Sequence, residues 1–233
     1  MKSRWIDVQA ADGGTFKAYL SEPPTGRGPG ILLIQEIFGV NEHIRAVADQ
    51  YAMDGYTVLA PDVFWREAPG IELGYGPDGF AKGVELVQRA KFSQCVVDLA
   101  DALKVLRGLP ECTGRAAALG FCMGGRLSYH LAAETDVDAA VCYYGGGIPT
   151  VLGEAAKIRA PILFHFAEND SYIPLAGVQA VRDTFGMREN TMIELYSGVE
   201  HGFNCWARSN YDQRAAALAR GRSLAFLATN LPV

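Results

Sequence analysis

Residues 118–125 read Ala-Leu-Gly-Phe-Cys-Met-Gly-Gly and set Cys122 between Gly120 and Gly124. A nucleophile at the centre of such a pattern can sit on a tight turn from strand into helix. Glycines two residues to either side remove the side chains that would make strand and helix collide. The turn holds its central residue in a strained backbone conformation. It also brings the sulfur to a helix N-terminus, where the dipole favours a thiolate. Backbone N–H groups there can hold a developing oxyanion. The chemistry implied is nucleophilic acyl transfer. The structural alternative is an inert buried cysteine between two packing glycines.

A thiol nucleophile needs a base, and the chain has four histidines. His43 is expected on the solvent face at the start of a helix. His130 follows Cys122 by about two helical turns, too far along the axis to reach it. His165 lies inside Ile-Leu-Phe-His-Phe and is expected to be a hydrogen-bonded core histidine. His201 stands in Ser-Gly-Val-Glu-His-Gly-Phe, residues 197–203. That loop falls between the last expected strand and the terminal helix, which makes His201 the candidate base; the alternative is a satisfied surface histidine. A third group must orient the imidazole. Glu168-Asn169-Asp170 directly follows an expected strand. Asp170 is the first candidate and Glu168 its local rival, while helix capping before Pro174 is the other job Asp170 could hold. The order nucleophile, acid, histidine is the one used by α/β-hydrolases.

These residues need a sheet that presents them at one edge. Trp5–Gln9 and Phe16–Ser21 alternate around Asp12-Gly13-Gly14 and predict a hairpin. Gly30–Gln35, Tyr56–Ala60, Arg115–Phe121, Ala139–Tyr144, Pro161–Ala167 and Met192–Tyr196 are short apolar runs of the kind buried on both faces of a parallel sheet. Helical spacing recurs after Ile44, closed by Gly55, and over Phe80–Gly108 as one helix or two. It recurs again over Met123–Glu134, Pro174–Phe185 and Gln213–Ala228. Strands alternating with helices after an antiparallel hairpin predict an α/β fold, a mostly parallel sheet with helices on both faces. A single domain over residues 1–233 is expected, with a lid-like excursion over about 63–92.

The segments Gln35-Glu36-Ile37-Phe38-Gly39, Pro61-Asp62-Val63-Phe64, Gly120 to Gly125, Tyr143-Tyr144-Gly145, Asn169-Asp170 with Pro174, and His201-Gly202-Phe203 together resemble the dienelactone hydrolase (carboxymethylenebutenolidase) family over nearly the whole chain. The resemblance implies an α/β-hydrolase fold and a Cys122–Asp170–His201 triad that cleaves lactones or activated esters through a thioester, without a cofactor. It further implies that Glu36 sits beside Cys122, and that Ile37 and Met123 supply oxyanion-hole N–H groups. A carboxylate beside the thiol disfavours the thiolate, so the resting sulfur would stay neutral until substrate displaces Glu36. Dienelactone-cleaving members hold the substrate carboxylate with two arginines. The matching places here hold Phe80 and Cys205, neither of which forms a bidentate fork. Arg66, Lys82, Lys91 and Arg208 are the nearby cations. Phe38, Trp65, Phe80, Tyr144, Phe203 and Trp206 are the candidate pocket residues, and they predict a more apolar substrate than a dienelactone.

Composition excludes other classes. Of 233 residues, 49% are apolar and 20% charged, enough for a large core and incompatible with disorder. The net charge of −5 leaves no basic footprint, so neither nucleic acid nor an anionic membrane is an expected partner. The expected partner is a small-molecule lactone or ester, and the expected state is a monomer or small homo-oligomer. Five scattered cysteines, no C-x-x-C and no visible signal peptide predict reduced thiols in a cytoplasm, with no metal. Two further readings of the same fold are a catalytically silent binder of a small ligand and a redox sensor with Cys122 as the sensing thiol. The sensor would need Cys142 or Cys205 as its resolving partner.

Overall fold

The computed structural model describes residues 2–231, which fall into two compact units, 2–117 and 118–231. The first opens with the antiparallel hairpin of β1 (Lys2–Gln9) and β2 (Thr15–Glu22), in register from Lys2 opposite Glu22 to Gln9 opposite Thr15. Its turn closes where Gly13 takes φ +91° and Asp12 Oδ1 accepts from the Gly14 amide at 3.1 Å. Next come β3 (Gly28–Ile34), α1 (Glu42–Met53), β4 (Thr57–Pro61), α2 (Pro77–Arg89), α3 (Phe92–Gly108) and the opening of β5 (Cys112–Phe121). The strand order is β1-β2-β4-β3, with β5 next to β3. β2 runs antiparallel to β4, and β3 parallel to it. All of β3 and β4 is buried, whereas β1 is mostly exposed. Each buried Leu or Ile of this kind contributes roughly 1.5–3 kcal/mol.

The helical pattern over Phe80–Gly108 resolves as two helices, α2 and α3, parted at Ala90 and Lys91, whose backbones are extended. The segment between β4 and α2 lies down on the loop after β3. The Leu73 amide donates to the Phe38 carbonyl at 2.9 Å, and Arg45 pairs with Glu72 at 2.7 Å. A side chain at Gly39 would meet the Ile71 carbonyl oxygen at 1.9 Å, and Gly39 takes φ +82°, so only glycine allows this approach. Asp62 anchors the segment, its two oxygens accepting from the Phe64 and Gly70 amides at 3.0 and 2.7 Å.

This arrangement corrects the expectation for His43. It is 5% exposed rather than solvent-facing, its ring edge-on to Tyr75 at 6.2 Å. Asn41 caps α1 through the Ile44 amide and donates to the Leu73 carbonyl and the Tyr75 hydroxyl, so the excursion roofs the helix start. A helical pattern read alone cannot show what folds back over it.

The second unit holds the end of β5, α4 (Met123–Glu134), β6 (Ala139–Tyr143), β7 (Ile162–Ala167), α5 (Leu175–Phe185), β8 (Thr191–Tyr196) and α6 (Gln213–Asn230). Its strands run in the order β5-β6-β7-β8; β7 is parallel to both of its neighbours. His165 is fully buried in β7, with Nδ1 2.9 Å from the Tyr196 hydroxyl and Nε2 2.9 Å from Ser223 Oγ. Burial, helped by the charge of Arg222, pushes its pKa down to about 3. It is a neutral core histidine, as expected, and not a base. Among the described residues no helix is long and apolar enough to cross a membrane.

Candidate active site

Cys122 stands between β5 and α4 at φ 55° and ψ −116°, a region that residues other than glycine rarely adopt. Two hydrogen bonds hold it there. The Cys122 amide donates to the Tyr143 carbonyl at 3.0 Å, and the Arg126 amide donates to the Cys122 carbonyl at 3.2 Å. Gly120, and Gly125 one residue beyond the motif, are sterically required. A side chain at Gly120 would lie 2.1 Å from the Gly124 carbonyl oxygen, and one at Gly125 2.6 Å from that of Tyr143. The first turn of α4 follows directly, where amides such as that of Met123 have no helical carbonyl to bond.

His201 is delivered by the loop after β8, which is tied to the loop after β7. The Glu168 amide donates to the Tyr196 carbonyl and the Asn169 amide to the Val199 carbonyl, both at 2.9 Å. Glu168 itself accepts from the Gly198 amide at 2.8 Å. Of the two acidic candidates, Glu168 pins the histidine loop and Asp170 touches the ring. Asp170 Oδ2 lies 2.8 Å from His201 Nδ1, and Oδ1 accepts from the Tyr172 and Ile173 amides at 2.8 and 3.1 Å. One oxygen thus meets the ring and the other closes the turn at Tyr172 and Ile173, while α5 itself starts after Pro174 without a side-chain cap. Asn210 donates to the His201 carbonyl and fixes the backbone from the far side.

With Nδ1 committed to Asp170, Nε2 is the nitrogen left for Cys122; it is buried and makes no close hydrogen bond. Burial would lower the pKa of His201. A negative sulfur at Cys122, with the hydrogen bond to Asp170, outweighs it and pushes His201 up to about 10. The imidazole thus lies between a carboxylate and a sulfur, both of which favour its protonated form.

The second unit brings Cys122, Met123, Asp170, His201, Tyr144 and Phe203 into one cluster. The Tyr144 ring is 4.9 Å from the His201 ring and 5.4 Å from that of Phe203. Tyr144 takes φ 35°, a second strained residue beside the imidazole. The structure adds Tyr172, 4.8 Å from the His201 ring. No motif announces Tyr172; its place two residues after Asp170 is the only signal the sequence carries. Trp206 is 42% exposed in the loop after His201. Arg208 folds back over Gly202, whose added side chain would meet its Nη1 at 2.4 Å.

The first unit carries the other candidates. Glu36 is 1% exposed on the loop after β3. Ile37 packs under α2, where a side chain at Gly83 would meet its carbonyl oxygen at 2.6 Å. Phe38 is buried with its ring 4.6 Å from Tyr75. Phe80 is partly exposed on α2. Trp65 is committed to packing, stacked on Phe16 at 5.3 Å and donating through Nε1 to Asp98 at 2.9 Å. Two of the nearby cations are also engaged, Arg66 with Asp98 and Asp12, and Lys82 with Glu85.

The model of the dienelactone hydrolase family matches residues 16–231. Carboxymethylenebutenolidase 1 of Cupriavidus pinatubonensis is 32% identical over 229 residues, 98% of this chain and 97% of that protein. The carboxymethylenebutenolidase of Pseudomonas putida is 34% identical with the same coverage. A solved structure from Klebsiella pneumoniae subsp. pneumoniae matches with a TM-score of 0.86 at 27% identity, covering 97% of this chain and 98% of that one. The dienelactone hydrolase of Anabaena variabilis shares the fold, with a TM-score of 0.74 at 15% identity over 99% of this chain and 98% of that one.

Proposed function

This chain belongs to the dienelactone hydrolase family, enzymes of the α/β-hydrolase fold that hydrolyse esters or lactones, and we propose that it does so through a Cys122–Asp170–His201 triad and a thioester intermediate. One observation carries the reading: a buried imidazole set between Asp170 Oδ2 and Cys122 on a strained strand-to-helix turn.

The steps follow from that geometry. The proton of the Cys122 thiol passes to His201 Nε2, and Asp170 holds the opposite nitrogen in the donating tautomer. The thiolate attacks the carbonyl carbon, and the carbonyl electrons move to oxygen. Backbone N–H groups of Met123 and Ile37 are assigned to that oxyanion. Such donors each contribute about 3 kcal/mol to the transition state. Having taken the thiol proton, His201 is the acid the leaving oxygen requires, and its hydrogen bond to Asp170 favours that protonated form. The acyl–oxygen bond breaks, the leaving oxygen takes that proton, and a thioester remains. Water then gives a proton to His201 and its oxygen to the acyl carbon, and the thiolate departs.

We assign Glu36 the role of holding the resting thiol neutral until substrate arrives. Glu36→Gln is expected to shift the pH dependence of Cys122 alkylation by iodoacetamide toward lower pH; an unchanged profile rejects the role. The substrate is assigned to uncharged or weakly charged esters and lactones, since the family resemblance matches Phe80 and Cys205 to the two arginines of its carboxylate-binding members.

The test of the function is direct. Wild-type protein turning over a panel of lactones, aryl esters and thioesters, quenched in acid, is expected to gain the acyl mass on the peptide carrying Cys122. Hydrolysis without such an adduct, unaffected by loss of the sulfur, overturns the proposal. The redox-sensor alternative gains no support. Cys142 is fully buried, and burial pushes its thiol well above the ordinary range, which keeps it protonated and a poor resolving nucleophile.

A further inference from the structure

His201 lies against two tyrosine rings of the second unit, and the two rings differ. Tyr144 is fully buried, held by Phe203 at 5.4 Å and Phe121 at 6.2 Å. Tyr172 meets the imidazole at 4.8 Å and 66° yet remains 56% exposed. A ring that open contributes little to the core. Its backbone is nevertheless fixed, because its own amide and that of Ile173 both donate to Asp170 Oδ1. The carboxylate that orients the base also orients this ring.

The reaction proposed above has His201 hand its proton to the leaving oxygen. That oxygen must come within hydrogen-bond reach of the imidazole. Whatever group it carries then has to pass the surfaces that border the imidazole. Tyr144 has no surface left to offer, whereas Tyr172 has more than half of its own. We propose that Tyr172 is a specificity-determining residue for the leaving group, its ring forming a shelf that selects esters of flat aryl alcohols over esters of saturated ones. This rests on the acyl-transfer reading of Cys122 and His201. The physical basis is that paired aromatic rings attract beyond the area they bury. A ring on a fixed backbone also has few torsions left to lose on contact.

Phenyl acetate and 2,2,2-trifluoroethyl acetate share an acyl group and differ in what leaves. Tyr172→Ala is expected to lower kcat/KM for phenyl acetate about tenfold and for the trifluoroethyl ester less than about twofold. Tyr172→Phe keeps the wild-type ratio, because the ring and not the hydroxyl makes the shelf. Tyr172→Leu, which keeps apolar bulk on the same backbone, follows the alanine variant. Phenol gives a readout without turnover: it is expected to slow iodoacetamide alkylation of Cys122 in wild type and Tyr172→Phe, but not in Tyr172→Ala. Equal losses on both esters, with phenol protection intact in Tyr172→Ala, overturn the shelf and leave the ring as a support for His201. If wild type hydrolyses neither ester, the acyl-transfer reading fails. The shelf is then judged on protection alone, its persistence in Tyr172→Ala overturning it.

Discussion

Cys122→Ala lowers kcat for lactone and ester hydrolysis by at least about 10⁴-fold, because a triad stripped of its nucleophile retains only binding and oxyanion stabilisation. The measurement is steady-state hydrolysis of the substrate that wild type turns over best. Retention of even a tenth of wild-type activity would remove Cys122 from the mechanism and favour a binding protein on the same fold. The backbone supplies a second, independent readout. Cys122 sits at φ 55° and ψ −116°, a conformation that costs a side chain on the order of 1–3 kcal/mol. Alanine keeps that strain; glycine relieves it. Cys122→Gly is therefore expected to be as inactive as the alanine variant while melting higher, by about 2–4 °C for each kcal/mol recovered. A residue held under strain only for packing would show no such trade between activity and stability.

The elbow was legible in the sequence because its constraint is local. Gly120 and Gly125 have neighbouring backbone at 2.1 and 2.6 Å from where a side chain would begin, and a steric requirement that tight leaves its mark as glycine. The strands were legible for a similar reason. β3, β6 and β7 are buried along their whole lengths, so each reads as an apolar run, broken in β7 only by His165. His201 and Asp170 were legible through their order along the chain, which the parallel sheet converts into a common edge. What escaped was set by contacts distant in sequence. His43 is buried against Tyr75, a residue from an excursion with no helical or strand period of its own. The break between α2 and α3 falls at Ala90-Lys91, with neither proline nor glycine to mark it. Tyr172 carries no pattern of its own, and only the geometry sets its ring against the imidazole.

Asp170→Asn separates the two roles that one carboxylate holds. An amide oxygen in the place of Oδ1 can still accept from the Tyr172 and Ile173 amides, so the turn before α5 keeps its closure and the melting temperature stays near that of wild type. In the place of Oδ2 the amide offers a donor to a nitrogen that has to donate. His201 then adopts the wrong tautomer or loses the contact, and the charge that favours its protonated form is gone. The expected fall in kcat is about 10³–10⁴-fold, the scale on which a mis-set imidazole costs a triad. Asp170→Ala adds the loss of the turn. Two amides, that of Ile173 buried, lose their acceptor at about 1–3 kcal/mol in all, which lowers the melting temperature by several degrees on top of a similar loss of rate. Paired measurements of kcat and melting temperature distinguish the outcomes. Equal melting losses in both variants, with little change in rate for the asparagine, would make Asp170 a turn-closing residue and leave His201 without its orienting partner.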